Sequence, residues 1–147
     1  MKAKDFFSEE QIQQIVESIS RAEEKTSGEL RVHLTDKCQS GDPKSEAIKI
    51  FEKLKMHQTE QRNGVLFYLA YKDKRFAIIG DKGINELVPV NFWDNIRDNM
   101  QNHFRNGQFV QGLTEGIEEA GNSLKKYFPI KSRDTNELSN DISFEHD

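Results

Sequence analysis

Three oxygen-bearing side chains follow an apolar strand in the middle of the sequence. The predicted strand, residues 76–79, ends at Gly80, and Asp81, Asn85 and Glu86 come directly after it. Glycines let such a loop fold tightly, so these side chains can converge on one point. Carboxylate and amide oxygens are the ligands that Ca²⁺ and Mg²⁺ prefer. The loop is therefore predicted to hold a cation, a phosphate or water.

The apolar pattern around this loop predicts alternating helices and strands. Ser8 and Gln11 fit a capping box at the start of the first helix, and Asp42 with Pro43 fits the start of the second. Period-two alternation over residues 29–36 predicts a half-exposed strand. The remaining elements are a second helix to about residue 56, strands at residues 65–71 and 76–79, a third helix from about residue 91 and a fourth over residues 109–124.

The predicted topology brings distant segments to one edge of the sheet. A crossover helix makes the first two strands parallel, and a tight hairpin makes the third antiparallel to the second. The starts of the first two strands then share an edge with the end of the third. We call this edge the candidate rim and predict its members by role. Its predicted metal ligands are Glu29, Asn63, Asp81, Asn85, Glu86 and Asp94, and its predicted catalytic residues are Arg62 and Asp81.

Two other interpretations of these residues stay open. An arginine beside carboxylates fits a structural ion-pair network as well as a catalytic centre, and Asp81 also fits a simple turn residue. The opposite edge of the sheet offers Asp36 and Asp73, at the carboxyl ends where open α/β sheets often bind ligands. We rank that edge second because Asp73 lies between two lysines in a hairpin turn.

Composition excludes several classes of function. The 147 residues include 21 basic and 25 acidic side chains, a net charge of −4, without a basic block interleaved with aromatics, so we expect no nucleic-acid partner. Cys38 has no second cysteine to pair with and fits a packing thiol. No zinc motif, phosphate-binding P-loop or nucleophile elbow occurs. No apolar run approaches the roughly 18 residues of a membrane span, and we expect a cytoplasmic monomer.

The length favours one domain. Apolar periodicity ends near Phe128, which predicts a single domain over residues 1–128 and an acidic, flexible tail over residues 129–147. Gly112, Gly116 and Gly121 lie inside the fourth predicted helix, where each glycine costs about 1 kcal/mol relative to alanine. We expect a close approach of this helix to the sheet to offset that cost.

Four segments in register resemble the TPM-domain family, also described as a thylakoid-lumen acid phosphatase and photosystem-repair family. They are residues 26–30, 62–66, 78–84 and 104–113. The resemblance implies a three-layer α/β/α sandwich with a small mixed central sheet, divalent-cation binding for some members and acid phosphatase activity for some. Many relatives carry a signal peptide and a membrane anchor, and this chain resembles a short, soluble bacterial-type member that has neither.

The chain departs from the family pattern just before the third helix. Relatives often carry acidic residues there, whereas this sequence has Pro89, Val90 and Asn91. Losing a carboxylate ligand weakens a hard-cation site. We therefore predict a Ca²⁺- or Mg²⁺-binding TPM-like domain with at most weak metal-dependent phosphatase activity. The alternative is a non-catalytic module that docks a partner protein through the acidic rim or the C-terminal tail.

Overall fold

The structure is a computed structural model that describes residues 6–130 and 142–144. Its elements follow the predicted order, with a one-turn helix and a fourth strand added. They are α1 (Glu9–Glu23), β1 (Glu29–Thr35), α2 (Pro43–Lys53), β2 (Gly64–Ala70), β3 (Arg75–Gly80), α3 (Lys82–Asn85), α4 (Asp94–Arg105), α5 (Phe109–Leu124) and β4 (Ser143–Phe144).

The described strands form one mixed sheet in the order β3-β2-β1-β4. Strands β1 and β2 are parallel, with Glu29 opposite Gly64, and β2 and β3 are antiparallel, with Val65 opposite Gly80. These directions are the predicted ones. The start of β1, the start of β2 and the end of β3 therefore lie together at one edge.

Helices cover both faces of this sheet, which confirms the three-layer α/β/α fold. One face packs Leu30, Val32 and Leu34 of β1 into a large core with α1, α4 and α5. The other face packs Leu66 and Tyr68 of β2 against α2 in a smaller core. The sheet is thus buried on both sides by apolar side chains, which is the main source of stability for such a domain.

Strand β1 is buried along nearly its whole length, so the prediction of a half-exposed strand is wrong. It lies between β2 and β4, and its polar residues share a sheet face with Leu66 and Tyr68 of β2, which pack in the smaller core. His33 shares a 2.9 Å hydrogen bond between Nδ1 and Ser143 Oγ, and its ring stacks on Tyr68. Alternation of polar and apolar residues indicates a solvent-exposed sheet face only when no layer of helices covers that face.

The helix starts follow their capping signals. Gln11 donates its N–H to Ser8 Oγ, and Ser8 donates its own N–H to the Gln11 side chain, which completes the predicted capping box. Asp42 caps α2, which ends at Lys53 rather than near residue 56. Helix α4 begins at Asp94, three residues later than predicted, because turns occupy residues 89–93.

The glycines of α5 approach other helices, and the predicted approach to the sheet is wrong. A Cβ atom on Gly121 would lie 2.8 Å from Ala22 Cα in α1, and one on Gly116 would lie 2.5 Å from Met100 Sδ in α4. Helix α5 therefore packs closely against two neighbouring helices. The absence of side chains permits that distance and offsets the low helix propensity of glycine.

Part of the predicted tail belongs to the fold. Strand β4 pairs in parallel with β1, placing Ser143 opposite His33, and Ile142 is buried in the large core. The rest of the predicted tail after residue 130 lies outside the described residues. Within the described part of the chain, no helix is both long enough and apolar enough to cross a membrane.

Candidate functional site

Backbone hydrogen bonds join the three segments of the candidate rim. Glu29 donates its N–H to the Asn63 carbonyl at 3.2 Å, Asp81 donates to the Gly64 carbonyl at 2.9 Å, and Gly83 donates to the Arg62 carbonyl at 2.9 Å. The segments that precede β1 and β2 and the one that follows β3 are therefore in contact, as the strand directions predict.

Arg62 binds Asp81 through both carboxylate oxygens. The Nε–Oδ2 distance is 2.7 Å and the Nη2–Oδ1 distance is 2.9 Å. The Lys82 N–H also donates to Oδ1, at 2.8 Å, so Asp81 caps the N-terminus of α3. The hydrogen bond to Asp81 raises the pKa of the Arg62 guanidinium, and the charges of Asp81 and Glu86 add to it.

The backbone at Arg62 and Gly83 allows the two segments that carry this ion pair to approach closely. Arg62 has a φ of +51°, in the left-handed region that few side chains occupy. A Cβ atom on Gly83 would lie 2.6 Å from the Arg62 carbonyl oxygen and closer still to that of Gln61. Glycine is therefore required where α3 meets the segment before β2.

A carboxyl pair lies at the start of β1, buried at Glu29 and partly buried at Glu23. Glu29 is buried, and Glu23, the last residue of α1, accepts a 2.9 Å hydrogen bond from the Leu30 N–H at Oε2. The pKa of Glu23 is raised to about 8, mainly by burial and also by the charge and carboxyl group of Glu29, against the lowering effect of the Leu30 N–H. Ionised carboxylates only accept hydrogen bonds, so two in contact need a shared proton or a cation.

Glu23 is not among the residues that the sequence predicts for the rim. Within the described residues, its Oε1 atom is buried without a hydrogen-bond partner. The available signal is position: Glu23 ends α1, and only residues 24–28 separate it from β1. A short connection returns the end of a helix to the start of the following strand.

Asn63 supplies a further oxygen that lacks a donor. Its Nδ2 donates to the Ser27 carbonyl at 3.3 Å, and its backbone N–H donates to Thr59 Oγ1. Its Oδ1 atom is buried and has no partner among the described residues. A buried amide oxygen normally accepts a hydrogen bond, so this atom has capacity for water or a cation.

The other predicted ligands lie at the surface. Asn85 donates from Nδ2 to the Gly80 carbonyl at 3.0 Å, and Glu86 is exposed near Arg62. Asp94 binds Arg97 within α4 at 2.7 Å and is half-exposed. No three His, Cys, Asp or Glu side chains within the described ranges are grouped so as to hold a metal ion.

Structural contacts engage both carboxylates of the competing edge. Asp73 Oδ2 accepts the Cys38 N–H at 2.8 Å, and Asp36 lies 3.9 Å from Lys72 Nζ. Asp73 thus links the hairpin turn to the segment that follows β1. This arrangement favours the turn-residue interpretation of Asp73.

The comparisons with known proteins identify the family. The family model for the TPM domain matches residues 1–123. The chain belongs to the TPM domain family. This TPM domain is similar to the BA42 protein from the psychrophilic bacterium Bizionia argentinensis, whose NMR structure has 48% sequence identity, a TM-score of 0.86 and 94% coverage of each chain. The family predicted from the four sequence segments is thus confirmed.

Two further solved structures share the fold of the TPM domain. The N-terminal domain of the cg2496 protein from Corynebacterium glutamicum has 12% identity and a TM-score of 0.63, covering 96% of this chain and 82% of that one. An N-terminal domain from P. gingivalis has 21% identity and a TM-score of 0.66, covering 83% and 78%. No curated protein matches the sequence.

Proposed function

We propose that this TPM domain binds a divalent cation, Ca²⁺ or Mg²⁺, at the Glu23–Glu29 end of the candidate rim. The observation that carries the proposal is the proximity of the Glu23 carboxyl to that of the buried Glu29, together with a Glu23 Oε1 atom that is buried without a hydrogen-bond partner among the described residues. A cation between two carboxylates replaces their repulsion with attraction, and it does so strongly where burial lowers the local dielectric.

The surrounding groups fit a hard cation. Asn63 Oδ1 is an oxygen atom without a hydrogen-bond partner among the described residues, so it can serve as an uncharged ligand beside the carboxylates. Ca²⁺ accepts such mixed, irregular oxygen sets, whereas Mg²⁺ demands near-octahedral geometry and keeps several waters. We therefore expect Ca²⁺ to bind more tightly. Asn85, Glu86 and Asp94 are exposed, so their hydrated oxygens add less to affinity.

Asp81 has a different role in this proposal. Its two oxygens already accept three hydrogen bonds, from the Arg62 side chain and the Lys82 N–H. A cation at Asp81 would compete with Arg62, so we assign this ion pair to holding α3 against the start of β2. Phosphate-ester hydrolysis would also require Arg62 to exchange Asp81 for a phosphoryl oxygen. We therefore expect such turnover to be weak.

An NMR titration tests the cation site. Protein treated with EDTA and dialysed is titrated with CaCl₂ and then MgCl₂ to millimolar concentration. We expect the amides of residues 28–30 and 63 to move. Glu29→Gln should weaken Ca²⁺ binding by at least about tenfold, because affinity follows the number of charged ligands. Asp94→Asn, at an exposed carboxylate, is the matched control and should bind as the wild type does.

Two outcomes would contradict the proposal. One is a spectrum that does not change at millimolar metal. The other is a titration in which Glu29→Gln leaves the affinity unchanged while changes at residues 80–86 dominate, which would place the cation at Asp81. Turnover of p-nitrophenyl phosphate, measured with and without EDTA, tests hydrolysis separately. The alternative of an interaction module built on the acidic rim or tail stays a prediction.

A further inference from the structure

Strand β3 forms one edge of the sheet and is long enough to pair with another strand. It runs from Arg75 to Gly80. In the sheet that the described residues form, it has a neighbouring strand, β2, on one side and none on the other. Natural edges are usually shielded by charges, proline or a bulge. Strand β3 has a single charged residue, at its start, and no proline. Its outer side is therefore a template for pairing.

The register shows which backbone groups face outward. Asp81 donates its N–H to Gly64, so the two form a hydrogen-bonded pair, and such pairs alternate along an antiparallel ladder. The N–H and C=O groups of Ala77 and Ile79 consequently point toward β2. Those of the intervening residues, Phe76 and Ile78, point away from the sheet.

Gly80 is the last residue of β3 whose backbone groups point away from the sheet. Its carbonyl is not available for pairing, because it accepts a hydrogen bond from the Asn85 side chain. No backbone hydrogen bond beyond the β2–β3 ladder involves Phe76 or Ile78 in residues 6–130 and 142–144. Phe76 and Ile78 are two positions apart, which is the spacing at which a strand added to a sheet edge forms its hydrogen bonds.

Helices form two walls beside this edge. A cleft of about 600 Å³ runs along it, between α2 and the start of α4. Ile48 and Phe51 line the α2 side, and Trp93 lines the α4 side. Ile48 is 41% exposed and presents apolar surface to the cleft. The cleft thus offers apolar contacts on both sides of an added strand.

The charged residues of the cleft indicate what kind of partner it can bind. Lys44 and Lys82 line it and form no ion pair with any described residue. Arg97 also lines it and binds Asp94, and the only carboxylate in the lining, Asp81, is bound by Arg62. The cleft therefore carries an excess of positive charge next to apolar surface.

We propose that the β3 edge binds an extended, acidic and apolar peptide segment of a partner protein as an additional strand. Backbone hydrogen bonds to Phe76 and Ile78 would supply affinity, and alternate side chains would contact the two walls. Lys44 and Lys82 would attract carboxylates of the peptide. A second copy of the chain is less suited to this edge, because each copy would bring the same unpaired lysines toward the other.

A synthetic peptide tests the proposal with the full chain in EDTA, which separates it from cation binding. The probe is a capped octapeptide of alternating valine and aspartate with a fluorescent label. We expect binding by fluorescence anisotropy, and slower hydrogen exchange of the Phe76 and Ile78 amides when peptide is present. The Ala77 and Ile79 amides, already bonded within the sheet, should change less. A peptide N-methylated at alternate residues on its pairing side should not bind.

Charge variants provide matched controls that keep the backbone intact. Lys44→Glu and Lys82→Glu should each weaken binding by about three- to tenfold at low salt, the range expected from loss of a favourable charge. Lys49→Glu, an exposed lysine on α2 outside the cleft, should leave it unchanged.

Three results would overturn the proposal. The first is absence of binding at millimolar peptide, with wild-type exchange at Phe76 and Ile78. The second is equal binding of the N-methylated peptide or of the Lys44→Glu variant, which would show that neither strand pairing nor charge selects the ligand. The third is slow exchange of the Phe76 and Ile78 amides in a dimer observed by sedimentation, which would assign the edge to a second copy.

Discussion

Arg62 contacts both oxygens of Asp81, with Nε 2.7 Å from Oδ2 and Nη2 2.9 Å from Oδ1. The two residues belong to segments that precede β2 and follow β3, so the ion pair fixes the edge of the sheet where three segments meet. Asp81 is buried and Arg62 is partly exposed. Such a two-point contact restrains orientation as well as distance, which a single hydrogen bond does not.

Removing the Asp81 side chain should destabilise the domain. Asp81→Ala removes the cap of α3 and the partner of Arg62, and we expect the free energy of unfolding to fall by about 1–2 kcal/mol, as for other lost N-caps. Urea denaturation measures the change. Asp98→Ala, at an exposed position of α4, is the control and should stay within about 0.5 kcal/mol of wild type. Equal stability of both variants would contradict a structural role for the ion pair.

Gly83 should not tolerate a side chain. Its Cβ would meet the carbonyl oxygens of Gln61 and Arg62, which belong to the backbone and cannot rotate away. We expect Gly83→Ala to cost about 1–3 kcal/mol in thermal or urea unfolding, the range for forced overpacking. Gly28→Ala is the control, because its Cβ would lie 3.5 Å from the nearest atoms, an ordinary contact. If the two variants are equally stable, the close approach at Gly83 is not as the structure shows.

Stability should fall as the pH rises when metal is chelated. The pKa of Glu23 is about 8 in the folded chain, above the 4.5 of an ordinary glutamate, so the folded state holds a proton that the unfolded state releases earlier. Stability from this proton is complete below about pH 4.5 and is lost as the pH rises through 8. The slope cannot exceed about 1.4 kcal/mol per pH unit for one proton.

Urea unfolding in EDTA between pH 5 and 9 measures this loss. Glu23→Gln mimics the protonated carboxyl and should flatten the profile. Glu24→Gln changes the adjacent, exposed glutamate and should leave the slope as in the wild type. A wild-type profile that is already flat, or one that Glu23→Gln does not alter, would show that the carboxyl pair does not share a proton.

The sequence contains enough information for the strand directions and the rim, but not for all of its members. A crossover helix and a tight hairpin leave one arrangement of β1, β2 and β3, so Glu29, Asn63 and Asp81 had to share an edge. The structure also shows the ion pair that had been an open alternative for Arg62. Glu23 was missed because periodicity defines the buried stripe of α1 but not the direction of its last side chain.

Long-range packing was less predictable for a physical reason. Glycines inside α5 indicate a close approach, yet their spacing does not distinguish a sheet from a helix as the neighbour. Strand β4 has only two residues and pairs across a long sequence separation from β1, so its local pattern is too short for a period-two signal.

Two glycines of α5 should respond differently to alanine. A Cβ on Gly121 would lie 2.8 Å from both Ala22 Cα and Ala22 Cβ, which cannot move without shifting α1. A Cβ on Gly116 would meet the flexible Met100 side chain, which can repack. We expect Gly121→Ala to cost about 1–3 kcal/mol. Gly116→Ala should be closer to neutral, since alanine regains about 1 kcal/mol of helix propensity. Thermal unfolding compares the pair, and the reverse order would contradict the described packing.

Ile142 tests whether the chain beyond residue 130 stabilises the domain. Its side chain is 7% exposed within the large core, next to the pairing of β4 with β1, whereas Ile130 is 45% exposed. We expect Ile142→Ala to lower the free energy of unfolding by about 2 kcal/mol or more, because truncating a buried isoleucine loses transfer free energy and leaves a cavity. Ile130→Ala, the same substitution at an exposed site, should cost far less. Equal effects in urea unfolding would mean that β4 does not hold Ile142 in the core, and residues 129–147 would then behave as the tail predicted from composition.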